Sequence, residues 1–578
     1  MYVGQCNFAR MYGKVLKNIF VAICLCLSAL CVQAQEIHIA EAIRAVFGET
    51  DVESLDQDVV ESMNELIRHP LRLNSAGVSE LEATGLFTPF QISALTDYIK
   101  RHGSVLSLAE LSALDGFSPE RAEEMAPFIC LDPSLSKGAG RIFTGDFSIR
   151  GGYKHDVVRQ VSKSTYGVRS RLMWSDKVSV GFSATEPYDS AKAWPTLYTG
   201  NISWQHRFGK VVAGDFNARF GQGLCLWNTA SFSSLTSPSS FMKRPGGISS
   251  SYSFTGTSAL TGLAADFVVG RWKAAAMVTV PGIKKYLSKP QSLLVTPAVN
   301  LTRYGRYGHL GMTHKMSFSN ILSSEYRIPE MLSAVDGSFC IQGVCIFAEA
   351  LFDWVSTQPA VLAGGEFAAG EVVTMASQVR YVPKVNEHAA ALSAEATSAK
   401  HKVTVSAEGK YHPVSKSREG RDSYQIKSQA DWQWIPRQWL TVRLRLSERF
   451  RTWGNAFKTQ LRSEMRFTGD CWSATLRMDA LYGLDFAGSA YVEGGYSPGR
   501  LSLYARVGMF MVDNWDDRIY VYERDAPGNF NVPALYGRGF WTSCYLSWKY
   551  ARWGTLCLRG TYKNPGNAEV KLQCMLHF

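Results

Sequence analysis

Short segments that alternate apolar and polar residues recur from about residue 140 to the end of the chain. In the segment LTVRLRLSE, Val442, Leu444 and Leu446 alternate with Arg443 and Arg445. Successive side chains of a β-strand point to opposite faces, so the segment predicts a strand with one apolar face and one charged face. The same alternation recurs in QLRSEMRFT, ATLRMDALYG and RLSLYARVGM. A charged face opposite an apolar one in strand after strand is typical of a transmembrane β-barrel rather than a soluble β-sandwich.

The last nine residues, VKLQCMLHF, have the same pattern. Val570, Leu572, Cys574, Leu576 and Phe578 share one face of the predicted strand. A final strand that ends on an aromatic residue resembles the closing strand of bacterial outer-membrane β-barrels. The resemblance implies contact with outer-membrane lipid and recognition of the strand ending at Phe578 by the barrel-assembly machinery.

The N-terminus has the pattern of a secretory signal peptide over residues 1–34. Arg10, Lys14 and Lys17 precede an apolar run over residues 19–30, and small residues precede the predicted cleavage site. A transmembrane anchor is the alternative, but the run is shorter than the ~20 residues needed to span a bilayer. No later run reaches 18 apolar residues. The exported chain is therefore expected either to form a membrane barrel or to remain in the periplasm.

Residues 141–578 form the predicted barrel. At roughly 25 residues for each strand with its connection, this length predicts about 16 strands. An even strand number returns both chain ends to the periplasmic side, and the long polar connections 228–256 and 513–537 are then expected to be extracellular. The predicted fold class is mainly β, with a transmembrane antiparallel β-barrel of about 16 strands preceded by a small all-α domain.

The segment that precedes the barrel is acidic, whereas the barrel segment is basic. Residues 36–132 contain 18 Asp and Glu residues against 6 Lys and Arg residues, although the whole chain has a net charge of +11. Apolar residues in this segment recur at helical spacing. The opposite charges mark a domain boundary and favour docking of the acidic domain on the barrel rim or inside the pore.

The acidic segment also contains two Gly-hydrophobic turns between short predicted helices. Its motifs are LNSA at 73–76, the turn at 85–88, SLAEL at 107–111 and the turn at 116–119. These motifs resemble a tandem helix-hairpin-helix module of the ComEA type, and the resemblance implies contact with a DNA backbone. The even strand number of the barrel places this module in the periplasm. The residues that the resemblance assigns to this contact are Gly85, Thr88, Gly116, Ser118 and Arg121.

Two departures from that pattern weaken the DNA interpretation. Thr88 and Ser118 occupy the second-glycine positions, where a side chain hinders close approach of the backbone. A net negative charge also opposes binding to a polyanion. The alternative is a compact helical platform that binds a periplasmic protein or caps the barrel.

The stretch GDFNARFGQGLCLWN at 214–228 resembles helix-hairpin-helix domain-containing outer-membrane barrel proteins of Gram-negative bacteria. The resemblance implies an architecture and no activity. By strand parity, Phe216, Ala218 and Phe220 are expected to face lipid. The candidates for a constriction or solute contact in this stretch are Asp215, Arg219 and Gln222. A structural salt bridge with a bend in the strand is the alternative.

Parity also predicts a basic lumen wall. The inward arginines are Arg443, Arg445, Arg462, Arg466, Arg477 and Arg506. A wall of one charge favours ions of the opposite charge, so an anionic solute or glycan is the expected cargo. The alternative is that inward acids, such as Glu464 and Asp479, pair with these arginines and rigidify the lumen.

The sequence offers no enzyme motif, no cofactor motif and no metal-binding spacing of cysteine or histidine. The chain is therefore not expected to be an enzyme, although a barrel enzyme remains a third hypothesis. Cys340 and Cys345 flank four residues and either form a disulfide across a hairpin or are small lipid-facing residues. The leading hypothesis is an outer-membrane barrel that acts in transport or as an envelope scaffold. DNA binding or uptake is the second.

Overall fold

The computed structural model describes most of the chain. The described residues are 39–48, 52–55, 57–132, 143–175, 177–188, 194–228, 235–254, 259–280, 294–319, 327–370, 372–414, 422–564 and 566–578. The predicted signal peptide, residues 1–34, lies outside these ranges.

Within these ranges, 24 antiparallel strands close into one barrel, in which β24 pairs with β1. The strands are β1 (Phe143–Asp156), β2 (Val161–Trp174), β3 (Val178–Glu186), β4 (Leu197–His206), β5 (Gly209–Arg219), β6 (Leu260–Val269), β7 (Trp272–Thr279), β8 (Leu294–Gly305), β9 (Gly308–Ser319), β10 (Arg327–Ile341), β11 (Val344–Asp353), β12 (Gln358–Ala369), β13 (Val373–Val382), β14 (Glu387–Thr397), β15 (His401–His412), β16 (Ser423–Arg437), β17 (Leu440–Arg451), β18 (Phe457–Thr468), β19 (Trp472–Tyr482), β20 (Phe486–Tyr496), β21 (Leu501–Val512), β22 (Gly537–Ala551), β23 (Gly554–Lys563) and β24 (Asn567–His577).

The prediction of about 16 strands was therefore wrong. It assumed long connections, whereas many neighbouring strands are joined by tight turns. β4 and β5 are separated only by Arg207 and Phe208, and β10 and β11 only by Gln342 and Gly343. The short turns lie at the end of the barrel where β1 begins and β24 ends.

The two faces of the wall differ as the alternation predicts. Leu444 and Leu446 of β17 are exposed on the outside, whereas Arg443 and Arg445 are buried. In β24, Val570 and Leu572 are exposed and Gln573 is buried. Such an apolar outer surface is suited to lipid, so the protein is a large barrel of the outer-membrane type. Among the described residues, no helix is long and apolar enough to cross a membrane.

Six α-helices precede the barrel in the described residues. They are α1 (Ile39–Phe47), α2 (Gln57–Arg68), α3 (Val78–Thr84), α4 (Pro89–His102), α5 (Leu108–Ser112) and α6 (Pro119–Met125). Thr88, Ser107 and Ser118 cap the N-termini of α4, α5 and α6 through their side-chain oxygens. Buried apolar residues such as Leu73 and Phe128 form the core of this segment.

The helical segment lies inside the barrel. Its side chains contact β2 through Glu61, β7 through Glu82, and β18 and β19 through Glu53. These strands are far apart around the ring, so one compact segment reaches them only from within. We refer to residues 39–132 as the plug.

Two long connections also fold into the lumen. Loop 5–6 (residues 220–259) joins β5 to β6 and includes a short strand, Gly247–Ser250, that pairs with the end of β5. Loop 21–22 (residues 513–536) joins β21 to β22, and its Asp517 and Val521 are fully buried. Both connections were expected to be extracellular. They leave the barrel at the end opposite the short turns, and their described parts turn inward, where residues such as Asp517 and Val521 are buried.

Cys340 and Cys345 face each other at the β10–β11 hairpin and form a disulfide. The structure therefore selects the first of the two alternatives left open by the sequence.

Candidate functional site

One face of α2 carries acidic residues that meet the barrel wall. Glu61 and Glu65 are four residues apart, so they lie on the same side of the helix. Arg169 Nη1 lies 2.8 Å from Glu61 Oε1, and Arg171 Nη1 lies 2.7 Å from Glu65 Oε1. All four side chains are largely removed from solvent. Removing one partner of such a buried pair leaves an uncompensated charge, which is costly.

Glu53 connects the plug to a distant part of the wall. Its two carboxylate oxygens lie 3.0 Å from Arg462 Nη1 and 2.5 Å from Arg477 Nη1. Both arginines also contact Asp479, at 2.7 and 2.8 Å. Glu53 therefore completes a network in which two predicted lumen arginines share two carboxylates.

Glu82 makes a third connection. Its carboxylate contacts Lys273 Nζ, which also lies 3.4 Å from Asp266 Oδ2. Ser79 Oγ of the same helix donates a hydrogen bond to Asp266 Oδ1 at 3.1 Å. Burial raises the pKa of Glu82, and the neighbouring Lys273 opposes this effect. Glu82, Lys273 and Asp266 are almost fully buried, so the contact lies in a largely dry interface.

The other predicted lumen arginines contact carboxylates of the barrel itself. The pairs are Arg443 and Arg445 with Asp431, Arg466 with Glu464, and Arg506 with Glu493. Acids of the barrel and of the plug thus accompany the basic wall, which corresponds to the paired alternative rather than to a ring of cations facing water.

The GD pair of the GDFNARFGQGL stretch marks the point at which β5 leaves the wall. Gly214 has a φ of +105°, and a Cβ there would lie 2.2 Å from Gly200 O. Asp215 Oδ2 accepts a hydrogen bond from Gly200 N at 2.8 Å, where the β4–β5 ladder ends. Phe216 and Ala218 are fully buried and Phe220 is 4% exposed, in one cluster with Leu226 and Ile248 of loop 5–6. Their predicted lipid-facing orientation was wrong because the end of β5 has protein on both faces.

The FGQGL segment wraps around a carboxylate of β11. Glu349 accepts hydrogen bonds from the backbone N–H groups of Gln222, Leu224 and Cys225 at 2.7, 3.0 and 3.1 Å. Gly221 has a φ of +63°, and a Cβ there would lie 2.9 Å from Glu349 Oε2. The Gln222 side chain accepts a hydrogen bond from Lys243 N within the same loop. The motif therefore builds an inward-folded loop.

Arg219 brings two predicted motifs together. Its Nη2 donates to Ala83 O at 3.5 Å, and a Cβ on Gly85 would lie 3.6 Å from its Nη1. The first predicted hairpin turn of the plug thus packs on the GQGL end of β5. Asp215 lies elsewhere, bound to Gly200 and to Thr261 Oγ1.

The remaining hairpin-turn residues act within the plug. Thr88 accepts from Gln91 N and its own N–H donates to the Gln91 side chain, which forms a capping box. Ser118 Oγ accepts from Arg121 N at 3.2 Å. Gly116 has a φ of +85°, as its turn requires. These residues cap and join the helices.

A cavity of about 290 Å³ lies between the N-terminus of α2, the barrel wall and loop 21–22. Gln57 of the plug, Arg150 and Lys571 of the wall, and Asp525 and Phe530 of the loop line it. Lys571 Nζ lies 3.0 Å from Asp525 Oδ2. Among the described residues, the buried Nε of Arg150 has no hydrogen-bond partner. Arg150 and Lys571 therefore give one side of the cavity a basic lining.

Three central residues were missed from the sequence. Glu349 lies in the strand pattern FAEALFD, where parity places it inward but nothing marks its partner. Glu53 and Lys273 are single charges in ordinary surroundings. Parity of β7 and the charge contrast between the two segments are the signals that point to Lys273, and we know of none for Glu53.

No protein-family model matches the chain, and no curated protein matches it. Several solved outer-membrane proteins show a distant structural likeness. The siderophore receptor PirA from Pseudomonas aeruginosa has 8% identity and a TM-score of 0.37, over 76% of this chain and 81% of that chain. The P pilus usher PapC translocation pore has 7% identity and a TM-score of 0.37, over 75% and 99%. The ferric enterobactin receptor PfeA in complex with BCV-L6 has 7% identity and a TM-score of 0.39, over 76% and 82%. Values this low support no conclusion about ligand or mechanism.

Proposed function

We propose that the protein is a transport barrel of the outer membrane in which the plug closes the lumen and must rearrange before a solute can pass. The observation that carries this proposal is the set of buried ion pairs between the plug and the wall. Glu53, Glu61 and Glu82 are bound to basic residues on strands around the ring. Such contacts hold the plug in place and are also separable, since charged groups can be rehydrated when the plug moves.

The class of solute follows from the cavity above α2. Arg150 and Lys571 are cationic hydrogen-bond donors that line the same wall of the cavity. A carboxylate or phosphate oxygen is a good acceptor for such a donor. An anionic solute or an acidic glycan is therefore the proposed cargo, with the cavity as its first binding point from the extracellular side.

The finer features of the architecture belong to the same proposal. In this proposal the end of the barrel with the short turns faces the periplasm, and a periplasmic protein is the partner that moves the plug. DNA binding is not included, because Gly85 packs on the barrel and Ser118 and Thr88 cap helices.

Conductance in planar bilayers tests whether the plug closes the lumen. The wild-type chain is expected to stay mostly closed, and the double variant Glu53→Gln, Glu82→Gln is expected to open more often because two of the three connections are weakened. Arg150→Gln should reduce anion preference, read as the reversal potential in a salt gradient. The matched control is Asp115→Asn, which removes one acidic charge from an exposed position of the plug.

Folding of each variant is checked by its heat-dependent mobility on SDS gels. If the folded double variant conducts no more than the Asp115→Asn control, the transport proposal is wrong and an envelope scaffold becomes the better account.

A further inference from the structure

Three possible metal ligands meet where the plug touches the seam of the barrel. Glu65 and His69 lie at the C-terminal end of α2, four residues apart and on one side of the helix, and Asp146 lies on β1. His69 Nε2 is 2.8 Å from Asp146 Oδ2 and 4.0 Å from Glu65 Oε1. All three ligand atoms lie within 4.8 Å of one another.

We propose that Glu65, His69 and Asp146 bind a divalent transition-metal ion, with Zn²⁺ as the reference ion. One imidazole nitrogen and two carboxylate oxygens are suitable ligands, at about 2.0–2.2 Å from Zn²⁺. Tetrahedral coordination places neighbouring ligand atoms about 3.3 Å apart. The three atoms therefore need shifts smaller than a side-chain rotamer change to take up the ion, and a fourth position stays open to water or to a solute.

A second histidine supports Asp146 from the other side. His577, on the last strand β24, contacts the second oxygen of the same carboxylate, Asp146 Oδ1, through its Nδ1. Metal-bound carboxylates are commonly held by such an outer hydrogen bond, which fixes their orientation. Asp146 is thus positioned by one imidazole and shares the proposed ion with another.

The local charges are compatible with a cation. Arg171 lies opposite Asp146 in the register of the β1–β2 ladder, and its Nη1 lies 2.7 Å from Glu65 Oε1. Arg169 also lies near Glu65, but its charge is balanced by Glu61. Arg171 with the two carboxylates then leaves a net negative charge when the histidines are neutral. The His69 side chain is 51% exposed, so an ion can enter from the periplasmic side without movement of the plug.

The position of the site gives it a consequence for the plug. Glu65 and His69 belong to the plug, whereas Asp146 and His577 belong to the first and last strands of the barrel. A bound ion would fasten α2 to the place where the barrel closes. This inference concerns metal binding and does not depend on the proposed transport function.

Metal titration of the whole protein tests the site. Protein carrying no histidine tag is purified in detergent, stripped with EDTA and titrated with ZnCl₂ in a calorimeter, and Co²⁺ is added separately to record its visible absorption. We expect one saturable site per chain. Binding should weaken by at least about 100-fold in His69→Ala and Asp146→Asn, and by about 10–100-fold in His577→Ala, where only an outer partner is lost.

His206→Ala is the control, because His206 lies in an aromatic group on β4 away from the plug. The half-exposed His69 can be replaced without loss of the barrel, which heat-dependent gel mobility verifies. Absence of saturable Zn²⁺ binding by the wild type overturns the proposal. So does a folded His69→Ala variant that binds Zn²⁺ and Co²⁺ as the wild type and His206→Ala do.

Discussion

A single carboxylate organises the inward-folded end of loop 5–6. Glu349 is almost fully buried, and three backbone N–H groups of the loop point to it. Without this carboxyl group, the three N–H groups would be buried with no acceptor. The two glycines that flank Gln222 have positive φ values, which allows three N–H groups to converge on one side chain.

Replacing this carboxylate should free the loop. In Glu349→Ala, each of the three N–H groups loses its acceptor, at a cost of about 1–3 kcal/mol per unsatisfied group. Amide hydrogen exchange over residues 220–226 should then accelerate by an order of magnitude or more. Glu330→Ala is the control, since Glu330 pairs with Lys315 and Lys384 at a different place on the wall. Unchanged exchange in Glu349→Ala would contradict the role given to this residue.

Lys243 of the same loop should react as an unusually acidic amine. Its Nζ lies 5.0 Å from the Trp227 ring centre, and burial lowers its pKa from 10.5 to about 8. The neutral amine is the nucleophile, so between pH 8 and 10.5 the folded state holds more of the reactive form than a solvated lysine does. Acylation of Lys243, followed by mass spectrometry, should level off soon after pH 8. Lys243→Arg identifies the labelled peptide, and a rate that climbs steadily to pH 10 would contradict the lowered pKa.

At the residue scale, the sequence predicts which face of the wall a side chain points to, but not which residue it contacts. Strand parity places Arg443 and Arg445 inward because β17 stays in the wall along its length. The same rule fails at Phe216, where β5 departs inward and both faces become buried. Glu349 and the GQGL loop are more than a hundred residues apart, so no local pattern could join them.

At the scale of elements, the acids of α2 align with the arginines of β2. One helical turn and two strand residues advance along the chain axis by nearly the same distance. Four residues of a helix rise about 6 Å, and two residues of a strand rise about 6.8 Å. Glu61 and Glu65 are therefore spaced like Arg169 and Arg171, and each acid meets one arginine. The sequence predicts the helix and the strand separately, but their register depends on how the plug enters the barrel.

A double-mutant cycle measures the coupling energy between Glu61 and Arg169, on which this register depends. Glu61→Gln leaves Arg169 without its ion pair and should lower the free energy of opening α2 by about 3–5 kcal/mol, as for other buried pairs. The exchange Glu61→Arg with Arg169→Glu should recover part of the loss. Hydrogen exchange of the α2 amides reports the opening. Additive effects of Glu61→Gln and Arg169→Gln, with no coupling energy between them, would show that the contact does not fix the helix.

At the scale of the whole molecule, the strand number decides what the lumen can contain. The interior of a barrel widens as strands are added, and barrels of 16 strands leave a water channel whereas those of 22 strands enclose a plug. The barrel of 24 strands has room for six helices and two inward loops. Charge contrast predicts the association of the two segments, but the mode of docking depends on a width that the alternation pattern does not reveal.

The last residue, Phe578, adds contacts to the seam that closes this sheet. Phe578 N donates to Gly145 O at 3.0 Å, Gly145 N donates to Phe578 O at 2.8 Å, and the Phe578 ring lies 5.7 Å from that of Phe143. Deleting Phe578 removes two ladder hydrogen bonds and one aromatic contact from the seam. We therefore expect a smaller folded fraction after refolding into lipid vesicles, read from heat-dependent gel mobility, and a lower yield in the outer membrane of cells.

Refolding in vesicles and yield in cells distinguish the loss of seam contacts from the loss of recognition by the assembly machinery. Phe578→Tyr keeps the ring and both backbone hydrogen bonds, so it should refold like the wild type. If deletion lowers the yield in cells and leaves refolding in vesicles intact, Phe578 acts through recognition by the assembly machinery rather than through the seam. If it changes neither, the terminal residue contributes to neither step, and closure must rest on the eleven residue pairs that join β24 to β1 between Asn567 and His577.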